Sequence, residues 1–89
     1  MSKKEKLFLK LRASPNNCHF EDICLLAEHV GFLPKGNSGT SHRIYKHNVI
    51  SGPNLEGVMN FQNVNGKAKP FQVRQLLDFI EKHGLLKEE

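Results

Sequence analysis

The sequence lacks tryptophan, contains only two cysteines and nowhere forms a long hydrophobic run. Its longest apolar stretch, residues 23–27, is far shorter than the roughly 18 residues of a membrane-spanning helix, so no membrane partner is expected. Cys18 and Cys24 do not have the paired spacing of a zinc site. We therefore expect two reduced thiols, with Cys24 packed as a small apolar residue, and neither a metal nor a cofactor.

Acidic residues are scarce in the centre of the chain. Between residues 35 and 74 a single acid, Glu56, stands against several cations, and the formal net charge of the whole chain is +4. A basic segment of this kind favours a polyanionic partner, of which nucleic acid is the commonest. A solvated surface that only maintains solubility explains the same excess equally well. The cations are Lys35, Arg43, Lys46, Lys67, Lys69 and Arg74.

The composition predicts one small folded domain over residues 1–89. A chain of 89 residues with 38% hydrophobic residues can bury one modest core but not two. The amino terminus mixes lysines with Leu7 and Phe8 and lacks the apolar core of a secretory signal, so a cytoplasmic location is expected.

Three amphipathic helices are predicted. The first spans residues 3–12 and ends before Ser14-Pro15, and the second runs from about Phe20 to Val30, where Gly31 ends it. The third begins at Pro70 and closes at Gly84. Its predicted apolar side consists of Phe71, Val73, Leu76, Leu77 and Ile80.

Three short strands lie between the second and third helices. They are predicted over residues 32–35, 41–47 and 58–64, with Asn65-Gly66 forming a tight turn after the last. On the middle strand, Ile44 shares a face with His42 and Lys46, whereas Tyr45 shares the other face with Arg43 and His47. Alternation leaves open which face is buried. This order predicts an α+β fold, a three-stranded antiparallel sheet with helices on one face and an extra N-terminal helix.

A glycine-containing loop joins the first two strands and leads directly to a histidine. Gly36 and Gly39 permit a tight bend, and Ser41 precedes His42 at the start of the strand. A histidine presented there can act on a ligand that arrives over the loop. An ordinary, partly exposed histidine is the simpler interpretation of the same pattern.

These motifs together resemble the HicA-like toxins. The resemblance covers residues 20–86. Two motifs carry it: Gly39-Thr-Ser-His42-Arg-Ile-Tyr, which follows the second helix, and Gly66-Lys-Ala-Lys-Pro70, which opens the third helix. It departs from the family pattern at Thr40, and at residues 60–63, where many members carry a second histidine. Residues 1–15 form an N-terminal helical extension to a core of residues 16–86.

The resemblance implies a fold similar to double-stranded-RNA-binding domains and the function of an mRNA endonuclease, the toxin of a type II toxin–antitoxin system. It also implies a HicB-like antitoxin as partner and a catalytic residue matching His42. A monomer is expected when the chain is free. Histidine suits such chemistry because its unperturbed pKa of about 6.5 keeps both protonation states available. The six central cations are the candidate RNA-binding residues.

The other histidines and the tyrosine have simpler roles in the prediction. His19, His29 and His83 are expected to be ordinary helix-end or flank residues, and His47 is the one second candidate for proton transfer. Tyr45 either stacks on a base or packs in the sheet. Two rival functions also stay open, namely a non-catalytic RNA-binding module and a protein-interaction domain with a basic surface.

Overall fold

The computed structural model describes residues 3–37, 42–50 and 57–86, with residues 36, 37 and 42 described by their backbone. Three helices and four strands give the predicted α+β class. No helix in these ranges is long and apolar enough to cross a membrane. The elements are α1 (Lys3–Ala13), α2 (Phe20–His29), β1 (Phe32–Asn37), β2 (His42–His47), β3 (Val58–Val64), β4 (Lys67–Ala68) and α3 (Pro70–His83).

The helix ends follow local signals in the sequence. Gly31 has φ +106° directly after the C-cap of α2, and Gly84 ends α3 in the left-handed conformation with φ +61°. Residues with a Cβ resist both conformations, so glycine stops each helix there. Pro70 occupies the first turn of α3, where its missing N–H costs nothing. The predicted start of α2 and both predicted ends of α3 are confirmed, and α2 ends at His29, one residue before the predicted Val30.

The sheet is antiparallel throughout and has the order β1-β2-β3-β4. The prediction of three strands was one strand short. Asn65 and Gly66 both have positive φ, and this tight turn brings Lys67 opposite Val64 and Ala68 opposite Asn63. A strand of two residues is too short to show alternation, which is why the sequence pattern did not reveal it.

All three helices lie on one side of the sheet. α2 packs against β1 and β3, α3 packs against β3, and α1 contacts both other helices. The core between the layers includes Ile23, Leu26, Phe32, Phe61 and Leu76.

The first helix belongs to the same core. Phe8 and Leu11 of α1 are at most 3% exposed and join the hydrophobic cluster that the described part of the chain forms. Ion pairs at the surface accompany this packing, with Lys10 Nζ 3.0 Å from Asp22 Oδ2 and Arg12 3.4 Å from Glu81. The predicted N-terminal extension is therefore integrated into the domain.

One residue of the predicted apolar side of α3 is not buried. Val73, Leu76, Leu77 and Ile80 face the core, but Phe71 is 61% exposed. Successive helical residues are rotated by about 100°, so a residue two positions before Val73 lies on nearly the opposite side of the helix. Including Phe71 in the apolar side was wrong for this geometric reason.

Candidate functional site

The predicted catalytic residue, His42, is the first residue of β2. Its backbone partner on β3 is Gln62, whereas the pairing of β2 with β1 reaches only Arg43, opposite Asn37, and does not include His42. Two residues of the predicted loop, Gly39 and Ser41, lie outside the described residues. The third, Gly36, belongs to β1 and pairs with Ile44. His42 thus occupies the end of the β1–β2 hairpin next to that loop.

A buried glutamine holds the strand opposite His42. The amide N–H of Gln62 donates to Oε1 of Gln72 at 2.8 Å, and Gln72 itself is only 7% exposed. Because this bond joins β3 to α3, it fixes the backbone against which His42 pairs. No sequence pattern indicates this role, since Gln72 is a single polar residue beside the apolar positions of α3.

The structure settles which face of β2 is buried. Tyr45 and His47 point toward the helices and are 1% and 6% exposed, whereas Ile44 is 41% exposed and Lys46 is also exposed. We call the side of the sheet away from the helices the open face. Its described side chains include Leu33, Ile44, Lys46, Asn60 and Val64.

His47 has a structural environment. Its Nε2–H donates to the carbonyl of Val30 at 2.8 Å, and its Nδ1 accepts from the backbone N–H groups of Val49 and Ile50 at 3.2 and 3.0 Å. Its ring also packs against Phe32, with the centroids 5.1 Å apart. Every hydrogen-bonding position of the imidazole is occupied, so His47 joins the end of β2 to the end of α2.

Tyr45 packs in the core. Its hydroxyl donates to Oε2 of Glu28 at 3.0 Å, and its ring lies 5.6 Å from that of Phe61. Burial and the hydrogen bonds to Cys24 and Glu28 raise the pKa of this phenol well above its usual range. A ring enclosed in this way is not accessible for stacking on a base.

Arg43 and Lys46 lie on opposite sides of the sheet. The guanidinium of Arg43 lies 5.6 Å from the centre of the Phe20 ring, and its interaction with Tyr45 raises its pKa. Arg43 thereby lines a cleft of about 350 Å³ beside α2, together with Phe20, Cys24, Glu28 and Asn63. The structure does not bring these two predicted RNA-binding residues together.

Lys35 is also exposed, on β1. The register between β1 and β2 shifts between Pro34 and Gly36, which makes Lys35 the extra residue of a bulge. A bulge interrupts the regular alternation of side chains along its strand.

The remaining cations gather at the start of α3. Arg74 donates to Oδ1 of Asn16 at 3.3 Å, and the ammonium of Lys67 donates to Oδ1 of Asn17. Because Asn16 and Asn17 are adjacent in the chain, these bonds hold the two cations near one another. Lys69 is the N-cap of α3 and lies two residues from Lys67. We call Lys67, Lys69, Phe71 and Arg74 the α3 patch.

The asparagines that anchor this patch are not among the site residues predicted from the sequence. In the sequence, Asn16-Asn17 indicates only a turn after α1. Their partners lie 50 and 58 residues further along the chain, so no local pattern could have revealed the contacts.

A second cleft, of about 510 Å³, opens near the start of α2. Its lining combines cations and carboxylates, including Lys10, His19, Glu21, Asp22 and Asn63. The pairing of Lys10 with Asp22 neutralises much of that charge. None of the residues predicted from the sequence to bind RNA lines this cleft.

Comparison with known proteins identifies no relative. No protein-family model, curated protein sequence or solved structure matches the chain. The likeness to HicA-like toxins therefore stays a prediction from sequence motifs.

Proposed function

We propose that the protein is a metal-independent endoribonuclease that cleaves mRNA, the toxin of a type II toxin–antitoxin pair similar to the HicA-like family. The observation that carries the proposal is the open face of the sheet. A histidine begins β2 at a hairpin end, and Lys46 is exposed further along the same strand, on the side away from the helices. An RNA backbone laid on this face would contact Lys46 and pass the end of β2 at which His42 lies.

His42 performs the proton transfers in this proposal. Strand alternation assigns position 42 to the same row as Ile44 and Lys46. The imidazole takes the proton from a ribose 2′-hydroxyl, whose oxygen attacks the adjacent phosphorus, and the bond to the 5′-oxygen breaks. The protonated imidazole then returns a proton to that leaving oxygen. The products are a 2′,3′-cyclic phosphate and a 5′-hydroxyl.

The cations position the phosphates and offset the charge that develops on them. Lys46 serves the open face, and Lys67, Lys69 and Arg74 bind the backbone further along the strand of RNA. Lys35 lies near the loop between β1 and β2. Arg43 interacts with Tyr45 and Cys24 and thereby helps to hold β2 in position. The order α2-β1-β2-β3-α3, with helices on one side, is compatible with the proposed resemblance to double-stranded-RNA-binding domains.

A HicB-like antitoxin is the proposed protein partner. The open face exposes apolar side chains next to its polar ones, with Leu33, Ile44 and Val64 between 41% and 57% exposed. A partner that covers them would remove apolar area from water and block access of RNA to β2.

A second candidate function is an RNA-binding module that does not cleave. The environment of His47 favours it, because this one candidate for a second proton-transfer group is buried and fully hydrogen-bonded. One imidazole must then serve both proton steps.

The test is cleavage of a defined single RNA by the purified protein in EDTA, with product ends analysed. Wild type should leave 2′,3′-cyclic phosphate ends, and His42→Ala should cut at least about 100-fold more slowly, the lower range for loss of a general acid–base group. An RNA with a 2′-deoxyribose at the cut site should resist cleavage.

His29→Ala is the matched control, since His29 is exposed at the end of α2. It should cleave like wild type, and circular dichroism should show that both variants are folded. Wild-type cleavage by folded His42→Ala would remove His42 from the mechanism. RNA binding without any cleavage by wild type would favour the second candidate.

A further inference from the structure

Phe71 is an exception among the phenylalanines of this chain. The sequence has six, all among the described residues, and the other five are at most 8% exposed, whereas Phe71 is 61% exposed. It lies in the first turn of α3, between Pro70 and the buried Gln72. Its ring contributes little to the core, so stability does not explain why an aromatic residue occupies this position.

The surroundings of Phe71 carry positive charge. Residues 57–77 contain no aspartate or glutamate, and the three cations of this range all belong to the α3 patch. Arg74 lies one turn after Phe71 on the same side of α3, and Lys69 lies two residues before it. The nearest acid further along the helix is Asp78, two turns beyond Phe71.

The hydrogen bonds of the patch hold these cations without neutralising them. Both Arg74 and Lys67 donate to side-chain amides, those of Asn16 and Asn17, which carry no charge. The guanidinium and the ammonium are therefore fixed near each other with their charges available to an anion.

An exposed ring beside fixed cations has the chemistry of single-stranded nucleic-acid recognition. Bases of a single strand stack on aromatic side chains while neighbouring cations bind the phosphates. Bases inside a duplex already stack on one another and do not offer a free face to such a ring. We propose that the α3 patch binds an unpaired RNA base on Phe71 and its flanking phosphates on Lys67, Lys69 and Arg74, so that the RNA is single-stranded at this point. This inference rests on the RNA partner proposed above and specifies its form.

The test is RNA binding without cleavage, measured by fluorescence anisotropy in a His42→Ala background. The probes are a labelled single-stranded RNA and a blunt duplex of the same sequence. Phe71→Ala should weaken binding of the single strand by about 5- to 150-fold, the usual effect of removing one stacking side chain. Phe71→Tyr should retain the affinity, and Phe71→Leu should lose most of it, because leucine is apolar but has no aromatic face.

Leu9→Ala is the matched control, because Leu9 is an exposed apolar residue, 44% exposed, on α1. It should bind the single strand like the parent protein. Arg74→Gln should lower the slope of log affinity against log salt by about 0.7, the value for one phosphate of a single strand. Thermal unfolding should be the same for Phe71→Ala and its parent, which excludes misfolding as the cause.

Two results would overturn the inference. The first is a single-strand affinity that Phe71→Ala leaves unchanged. The second is a duplex that binds the parent protein as tightly as the single strand does and loses as much affinity in Phe71→Ala. If Phe71→Ala binds normally while His42-dependent cleavage persists, the patch proposal fails and the nuclease proposal stands. If Phe71-dependent binding occurs in a protein that never cleaves RNA, the patch proposal stands and the nuclease proposal fails.

Discussion

Replacing His47 by alanine separates a structural histidine from a catalytic one. The substitution removes a donor from the buried carbonyl of Val30 and an acceptor from the N–H groups of Val49 and Ile50. It also leaves a space beside Phe32 and Phe79, whose ring centroids lie 5.1 and 5.9 Å from the imidazole. Both losses affect the folded state only.

The expected loss of stability follows from these contacts. Unsatisfied or weakened hydrogen bonds contribute about 1 to 2 kcal/mol, because Val30 is a buried residue whereas Val49 and Ile50 are not. The missing ring contributes about 2 kcal/mol, as in other large-to-small changes in a core. The total of about 3 to 4 kcal/mol is a large part of the roughly 4 to 13 kcal/mol expected for a domain of this size.

Urea unfolding followed by circular dichroism measures this loss, and the Tm should fall by at least about 12 °C. His29→Ala is the matched control and should stay within about 0.5 kcal/mol of wild type, because His29 is exposed. At a temperature where His47→Ala is folded, it should cleave RNA at the wild-type rate, whereas His42→Ala should keep its Tm and lose cleavage. A His47→Ala protein within about 1 kcal/mol of wild type would refute the structural role.

Two further predictions follow from buried polar groups. In Gln72→Leu the Gln62 amide opposite His42 loses its hydrogen-bond acceptor. The variant should therefore be destabilised by about 1 to 2 kcal/mol in urea unfolding and should cleave RNA more slowly, and an unchanged stability would contradict this prediction. The free energy of unfolding should fall as the pH rises above about 9. Burial raises the pKa of Cys18, Cys24 and Tyr45 in the folded state, so the unfolded chain loses these protons at a lower pH than the folded chain does. Tyr45→Phe should flatten the alkaline part of the curve above pH 10, and an unchanged curve would count against the burial of Tyr45.

The parts of the fold that the sequence predicted correctly depend on local backbone chemistry. Gly31, Gly84 and Pro70 mark the helix ends, and Asn65-Gly66 marks the turn after β3. Each signal comes from conformations that only a few residue types tolerate, so distant parts of the chain cannot easily override it.

The buried face of β2 could not be predicted because its two rows are chemically similar. One row contains Ile44 and Lys46 and the other contains Tyr45 and His47, so each combines an apolar residue with a basic or titratable one. The choice depends on contacts with α2: Glu28 accepts from Tyr45, and Val30 accepts from His47. Both partners lie 17 residues away in the chain, beyond the range of any strand pattern.

The distribution of the cations shows the same limit at the candidate site. Arg43 and Lys46 lie three residues apart in the basic segment, and strand alternation alone already assigns these two predicted RNA-binding residues to opposite faces. Lys67 and Arg74 are joined instead through Asn16 and Asn17, from the loop after α1. A basic segment can therefore indicate a polyanionic partner, but the surface that meets it is built by contacts between distant residues. For this reason the α3 patch, with its exposed Phe71, is the part of the molecule where mutations should best distinguish recognition of RNA from its cleavage.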